Sequence, residues 1–223
     1  MKTLIIAPHP DDELLGCGGT LIKRIAEGNN VGWVLMTAIT SQAGFKTENI
    51  QKRDHEIETV RKGLGIPSEN LYKLNFPTAE LDQITTSELI KSLSKVFIDY
   101  QPDEVFLPHP GDIHTDHSIT FDAASACTKW FRYPSVKRIL TYETLSETDF
   151  GLDQFAGGFR PNLFVDITNQ LEQKLKLLSV YESELGDHPF PRSLKTVRAQ
   201  AVIRGSQRGV QAAEAFQILR EFE

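Results

Sequence analysis

The chain has 223 residues, of which 40% are hydrophobic, 24% charged and 9% aromatic, and this composition predicts a folded globular protein. Its formal net charge of -6 at pH 7 argues against a nucleic acid or an anionic membrane surface as partner, since either would select a basic face. Two cysteines, Cys17 and Cys127, are too few for a disulfide framework. The sequence contains neither a signal-peptide pattern nor an apolar run of membrane-spanning length, so we expect a cytoplasmic protein with no integral membrane segment.

Short apolar runs alternate with amphipathic stretches along the chain. The runs predict strands at residues 4–7, 31–36, 71–74, 104–107, 137–141 and 163–167. The amphipathic stretches predict helices at residues 14–27, 48–64, 86–100, 118–131, 171–185, 194–204 and 210–222. This alternation is typical of βαβ units. We therefore predict an α/β fold, namely a Rossmann-like three-layer sandwich with a mainly parallel sheet, formed as one domain over residues 1–223.

A glycine-rich stretch lies inside the first predicted helix, at residues 16–19. It does not have the spacing of a dinucleotide-binding loop and does not directly follow a strand. We expect these small residues to let the helix pack closely on the sheet instead.

Most of the histidines cluster in two loops. The loop after the first strand reads Pro-His-Pro-Asp-Asp-Glu at residues 8–13, and the loop after the fourth strand spans residues 108–117. Together they hold four of the six histidines: His9, His109, His114 and His117. Because ligands of an open α/β sheet bind outside the carboxyl ends of its strands, the active site is expected at this edge.

A metal site is the chemistry that these residue types favour. His9 and Asp12 are three residues apart at a strand-to-helix turn, and His117 from the other loop would complete a set of two imidazoles and one carboxylate. Such a set suits catalytic zinc, which keeps three protein ligands and one water. Fe²⁺ accepts the same ligands, so the choice between Zn²⁺ and Fe²⁺ stays open.

Three further residues are candidates for catalysis. Asp11 lies next to a candidate ligand and could act as general base toward a water. His114, if protonated, could stabilise an oxyanion or protonate a leaving amine. Asp116 could then orient and stabilise that imidazolium.

These motifs resemble those of the PIG-L/LmbE family of zinc-dependent de-N-acetylases. The family's first motif stands at residues 8–13, and its second, His-x-Asp-His, stands at residues 114–117. The resemblance extends to Arg53-x-x-Glu56, to the Leu-Gly pair at 64–65, and to an Arg-Gly…Gly…Ala-Glu-Ala-Phe ending between residues 204 and 216.

The resemblance implies removal of the acetyl group from a small N-acetylglucosamine-type sugar conjugate. By position, His9, Asp12 and His117 match the family's zinc ligands, and Asp11 matches its general base. His114 matches the oxyanion-stabilising or acid histidine, and Asp116 its partner carboxylate. Arg53 matches a substrate-contacting arginine.

Two other functions stay open at this point. The same groups would serve a metal-dependent amidase or esterase on a non-sugar substrate. A non-catalytic sugar- or nucleotide-binding module is disfavoured, because pure binding needs neither the base Asp11 nor the acid His114. The sequence does not decide the oligomeric state, and a homo-oligomer is compatible with it.

Specificity is expected from the less regular segments. Acidic side chains there that could bond sugar hydroxyls are Glu80, Asp82 and Glu143. Aromatic side chains that could stack on a sugar ring are Tyr142, Phe150, Phe155 and Phe159. His109 could support the site from outside the ligand set, and its role stays open.

Overall fold

The computed structural model describes residues 1–152 and 158–223. Its strands are β1 (Lys2–Ala7), β2 (Asn30–Ala38), β3 (Leu71–Pro77), β4 (Glu104–Pro108), β5 (Arg138–Tyr142), β6 (Leu163–Asp166) and β7 (Ala213–Glu221). Its α-helices are α1 (Asp12–Ala26), α2 (Thr47–Leu64), α3 (Thr86–Tyr100), α4 (Thr115–Ser125), α5 (Leu171–Leu178) and α6 (Leu194–Arg208).

All seven strands form one sheet in the order β3-β2-β1-β4-β5-β7-β6. The first five strands in that order run parallel, whereas β7 runs antiparallel to both β5 and β6. The order of the strands reverses between β1 and β4, which is where ligands bind in sheets of this kind. The predicted α/β fold with a mainly parallel sheet is confirmed.

Two apolar clusters hold the three layers together. Alternate residues of β1 point to opposite faces, so Ile5 and Ala7 belong to one cluster and Leu4 and Ile6 to the other. Helices α1, α2, α5 and α6 contribute to the first cluster, and α3 and α4 to the second. Within the part of the chain that the structure describes, no helix is long and apolar enough to cross a membrane.

The prediction of a helix at residues 210–222 is wrong, because this segment contains strand β7. Helix α6 ends at Gly209, whose φ of 83° is left-handed. The chain then inserts between β5 and β6, where it pairs on both sides. The segment contains three alanines, two glutamates and two glutamines, which favour helix locally, but pairing on two edges outweighs that preference.

Two other predicted helices have different bounds. Helix α4 begins at Thr115 and ends at Ser125, followed by one 3-10 turn, rather than spanning 118–131. Helix α5 ends at Leu178 rather than 185, and a separate 3-10 turn spans Glu182–Glu184. The chain leaves the helical path where Tyr181 buries its ring and donates its hydroxyl to Glu13 at 3.1 Å.

A buried ion pair fixes α1 against the C-terminal part of the sheet. The Lys174 ammonium donates to Glu214 at 2.7 Å and to the carbonyl of Leu15 at 2.9 Å. The Glu214 carboxylate also accepts from the backbone N–H groups of Gly19 and Thr20. Since α1 begins at the site described below, this contact helps to fix the position of the site.

Gly16 allows α1 to lie directly on β5, as the sequence predicts. A Cβ at this position would overlap the ring of Tyr142, which is fully buried. At Gly18, by contrast, the nearest atom to an added Cβ is the Leu14 Cδ2 at 3.1 Å, the end of a flexible side chain.

We expect Gly16→Ala to lower the free energy of unfolding by about 1–3 kcal/mol through overpacking. Gly18→Ala is the matched control on the same helix, and its loss should be smaller because Leu14 can move and alanine favours helix. Urea denaturation followed by circular dichroism measures both. Equal losses would contradict this account of the packing.

Candidate metal and catalytic site

The loops that follow β1 and β4 meet at the carboxyl edge of the sheet. These strands are neighbours, with Ile5 opposite Phe106. As a result, the His9 ring centroid lies 4.5 Å from that of His114 and 5.5 Å from that of His117. The structure thus brings together the two motifs that the sequence analysis singled out.

His9, Asp12 and His117 form a group that could hold a metal ion. One carboxylate oxygen of Asp12, Oδ2, lies 3.4 Å from His9 Nδ1 and 3.3 Å from His117 Nε2. Tetrahedral zinc with ordinary bond lengths separates its ligand atoms by roughly 3.3–3.6 Å. The residue types and their spacing therefore fit such an ion.

Two more carboxylates orient these imidazoles. His9 donates from Nε2 to Asp116 at 3.0 Å, and His117 donates from Nδ1 to Asp112 at 2.8 Å. Asp112 also accepts from the Thr148 hydroxyl at 2.6 Å. With those ring nitrogens occupied, the other nitrogen of each ring faces Asp12, which is the arrangement common around metal-ligating histidines.

Asp112 was missed by the sequence analysis. It lies in the loop after β4, five residues before His117, and is buried. Its position among the loop's other acidic residues gave no local pattern that would distinguish it.

The expected partnership of Asp116 with His114 needs correction. The Asp116 carboxylate contacts His9, and it also accepts from the backbone N–H groups of Ala79 and Leu81. His114 is the N-cap of α4, and its Nδ1 accepts from the Asp116 backbone N–H at 3.1 Å. The hydrogen bonds of the carboxylate thus go to His9 and to two N–H groups of the neighbouring loop rather than to His114.

Opposite charges within the cluster decide its protonation. Burial alone would lower the pKa of His9, but hydrogen bonds to Asp116 and Asp12 raise it to about 9. Burial likewise opposes the charge of His117, yet Asp12 and Asp112 raise its pKa well above the usual value. Burial would raise the pKa of Asp12, but the two imidazoles hold it well below its usual range. The buried carboxylates thus favour positive charge beside them, as a metal-binding site requires.

His114 is in the opposite situation. Burial lowers its pKa, and the charges of His9 and His117 add to the effect, so that it falls to about 4. A neutral ring whose Nδ1 accepts a hydrogen bond carries its proton on Nε2. At neutral pH His114 is therefore a hydrogen-bond donor without a charge.

The backbone of Asp11 has an unusual conformation, with φ at 128°. Such a residue persists only when its surroundings hold it firmly. Its N–H donates to the buried Glu13 carboxylate at 3.1 Å, and its carbonyl accepts from Leu14 and Leu15 at 2.9 and 2.8 Å. The last residue of the Pro-His-Pro-Asp-Asp-Glu motif thus fixes the turn that presents Asp11.

The Asp11 carboxylate pairs with Arg192, another residue that the sequence analysis missed. The Nη1 atom of Arg192 lies 3.1 Å from Asp11 Oδ2. Burial and the neighbouring charge of Asp12 raise the pKa of Asp11 to about 7, although Arg192 opposes the shift. Arg192 lies 181 residues further along the chain, so no local spacing links the two.

A cavity of about 210 Å³ opens above these groups. Its lining combines the metal-binding group with charged residues from distant segments and with the loop after β2. The lining residues are His9, Pro10, Asp11, Asp12, Thr37, Ala38, Ile39, Arg53, Thr78, His114, His117, Glu147, Glu184 and Arg192.

The family of this chain follows from its comparison with known proteins. Residues 4–128 match the family described as "PIG-L: GlcNAc-PI de-N-acetylase". The chain belongs to the PIG-L family.

Its relatives include deacetylases of N-acetylated sugars. Diacetylchitobiose deacetylase of Thermococcus kodakarensis is 27% identical, over 98% of this chain and 83% of the relative. The 2'-N-acetylparomamine deacetylase of Streptomyces fradiae is 25% identical, over 90% of this chain and 79% of the relative. The structure of N,N'-diacetylchitobiose deacetylase from Pyrococcus horikoshii, bound to an inhibitor, matches with a TM-score of 0.79 and 30% identity, covering 98% of this chain and 84% of the other.

Arg53, which matches a PIG-L motif, lines the cavity but bonds to the protein. It donates from Nη1 to the carbonyl of Pro10 at 3.2 Å and from Nε to Glu56 at 3.1 Å. Its Nη2 contacts Ser183 and Glu184. These contacts hold Arg53 rigidly in the cavity wall.

Several residues proposed for specificity have other roles. Glu143 forms a two-pronged ion pair with Arg204, at 2.7 and 2.6 Å, and does not line the cavity. Tyr142 is fully buried and donates its hydroxyl to the carbonyl of Ile6. Both expectations of sugar contact are therefore corrected, and Arg204 has a structural role in this ion pair.

The remaining candidates that the structure describes lie outside the cavity lining. Glu80 and Asp82 are exposed near the loop after β3, and Phe150 is 54% exposed. Phe159 contacts the buried His109 ring edge-on, with centroids 5.5 Å apart. Phe155 lies outside the described residues.

We expect Asp112→Asn to weaken zinc binding by about 10–100-fold, because an amide holds the His117 tautomer less firmly than a carboxylate. Asp122→Asn, an exposed change on the same α4 region, is the matched control and should bind zinc as the unmodified chain does. Titration against a competing chelator measures both. Equal affinities for the two variants would contradict the role given to Asp112.

Proposed function

We propose that this chain is a zinc-dependent hydrolase that removes the acetyl group from an N-acetylglucosamine-type sugar conjugate, releasing acetate and the amino sugar. The observation that carries the proposal is one cavity lined by a fitting metal-binding group and by Asp11 and His114, which do not belong to that group. The names of the relatives supply the substrate class.

His9, Asp12 and His117 are the residues assigned to hold the metal. A zinc ion in such a set supplies a Lewis acid that activates water and polarises a carbonyl oxygen. The remaining chemistry falls to side chains that line the same cavity.

Asp11 is assigned the role of general base. As the water oxygen bonds to the acetamide carbon, the Asp11 carboxylate accepts the proton that the water loses. When the C–N bond breaks, that proton passes to the sugar nitrogen, which leaves as an amine. Two features support the assignment: Glu13 holds the backbone of Asp11 in place, and burial together with the charge of Asp12 raises the pKa of Asp11, which strengthens its carboxylate as a proton acceptor.

His114 is assigned to stabilise the negative charge that develops on the carbonyl oxygen. Its neutral ring and its occupied Nδ1 leave the Nε2–H as a donor on the cavity side. This role differs from that of a protonated acid, because donation costs no charge in the buried cluster. Arg53 is assigned to contact the sugar from the wall of the cavity.

We expect Asp11→Asn to abolish release of acetate from N-acetylglucosamine conjugates while zinc stays bound. The amide keeps the size of the side chain but cannot accept a proton. Acetate assay and elemental analysis on the same sample measure the two properties. Near-normal turnover in this variant would contradict the base assignment. If the unmodified chain hydrolysed simple esters but not sugar acetamides, the result would favour the non-sugar hydrolase instead.

We expect His114→Ala to lower kcat by about 10²–10³-fold, as loss of an oxyanion donor typically does. Its zinc content should be unchanged, since His114 does not belong to the His9, Asp12 and His117 group. His55→Ala, at an exposed histidine of α2, is the control and should keep full activity. A kcat within twofold of the control would remove His114 from the mechanism.

A further inference from the structure

Two side chains beyond the motifs reach the cavity from one short segment. Glu184 ends the 3-10 turn that follows α5, and Arg192 lies just before Ser193, the N-cap of α6. Both line the cavity that contains Asp11. Neither belongs to the metal-binding group.

Arg192 lies between two carboxylates. Its Nη1 is 3.1 Å from Asp11 Oδ2 and 3.7 Å from Glu184 Oε2, and its side chain is 25% exposed. Because both carboxylates lie near the same nitrogen, the charge of Glu184 restricts the rotational freedom that a lone arginine keeps. Its contact with Asp11 is then fixed in direction.

Glu184 also reaches Asp11 by a second route. It accepts from Arg53, whose guanidinium donates to the carbonyl of Pro10 at 3.2 Å. Pro10 is the residue directly before Asp11. One carboxylate thus anchors the two arginines that hold the Asp11 side chain and the backbone next to it.

We propose that Glu184 and Arg192 are positioning residues for Asp11, with Glu184 anchoring the arginine that aims the Asp11 carboxylate. The inference rests on the proposed function, in which Asp11 is the base. A displacement of a reacting group by about 1 Å can cost on the order of 100-fold in rate. A side chain that aims the base therefore acts on kcat without touching the metal.

The first test compares two glutamates of the same 3-10 turn. Glu184→Gln removes the charge that anchors Arg192 and Arg53, whereas Glu182→Gln changes a side chain that is 74% exposed and contacts Lys52. We expect kcat to fall by about 10-fold or more in Glu184→Gln and to stay within about twofold in Glu182→Gln. Zinc content should change little in either variant, and a rise in KM with an unchanged kcat in Glu184→Gln would overturn the positioning role.

The second test separates positioning from simple support of the fold. Arg192→Ala should lose kcat, and added guanidinium ion at millimolar concentration should restore part of it by occupying the position between Asp11 and Glu184. Arg198→Ala, at an exposed arginine paired with Glu172, should show neither loss nor response. A loss that guanidinium does not restore, or no loss at all, would overturn the role of Arg192.

The outcomes also distinguish this inference from the proposed function. If the unmodified chain releases no acetate from any N-acetylated sugar, the proposed function fails. If the unmodified chain is active and Glu184→Gln matches Glu182→Gln in kcat, only the positioning role fails. The isosteric Glu184→Gln change keeps the test decisive should Arg192→Ala fold poorly.

Discussion

The site depends on one carboxylate that faces two imidazoles. Asp12 is the first residue of α1, and its Oδ2 also accepts the His9 backbone N–H at 2.9 Å, which closes the turn between β1 and the helix. His117 reaches the same oxygen because β4 is the neighbour of β1 in the sheet. Any sheet order that separated these two strands would leave His9 and Asp12 as an incomplete pair of ligands. The reversal of strand order between β1 and β4, which makes these two parallel strands neighbours, is therefore the topological condition for the metal-binding group.

Burial makes every ionisable group of this site depend on a partner. An isolated charge out of water is costly, so the cluster is stable only when opposite charges face each other. His9 is matched by Asp116, His117 by Asp112, and Asp11 by Arg192. Among the described residues no carboxylate is hydrogen-bonded to the His114 ring, and burial with the charges of His9 and His117 lowers its pKa to about 4, which suits a neutral donor better than an acid. The roles proposed for these residues follow from which of them has a charged partner.

The sequence predicted the parts of the molecule that local patterns encode. The parallel strands are short apolar runs, and the two motifs follow β1 and β4 directly. The sheet edge and the metal-binding group could therefore be predicted from the sequence. Strand β7 could not be predicted, because its residues favour helix locally and become a strand only by pairing with β5 and β6 on both sides. Arg192 was missed for a related reason: its contact with Asp11 joins distant parts of the chain, and an arginine in a loop has no distinguishing pattern.

Some of the contacts that position the proposed reactive groups come from residues outside the family match. The family match ends at residue 128, and all residues assigned to metal binding and to catalysis lie within it. Glu184 and Arg192 lie beyond it, as does Glu214, which holds α1 through the N–H groups of Gly19 and Thr20. The N-terminal part thus holds the residues to which we assign reactivity, together with Glu13, Asp112 and Asp116, which orient them. The C-terminal part adds further contacts from Glu184, Arg192 and Glu214. Under the proposed roles, replacing an anchoring side chain of the C-terminal segment alters the aim of the base without removing it.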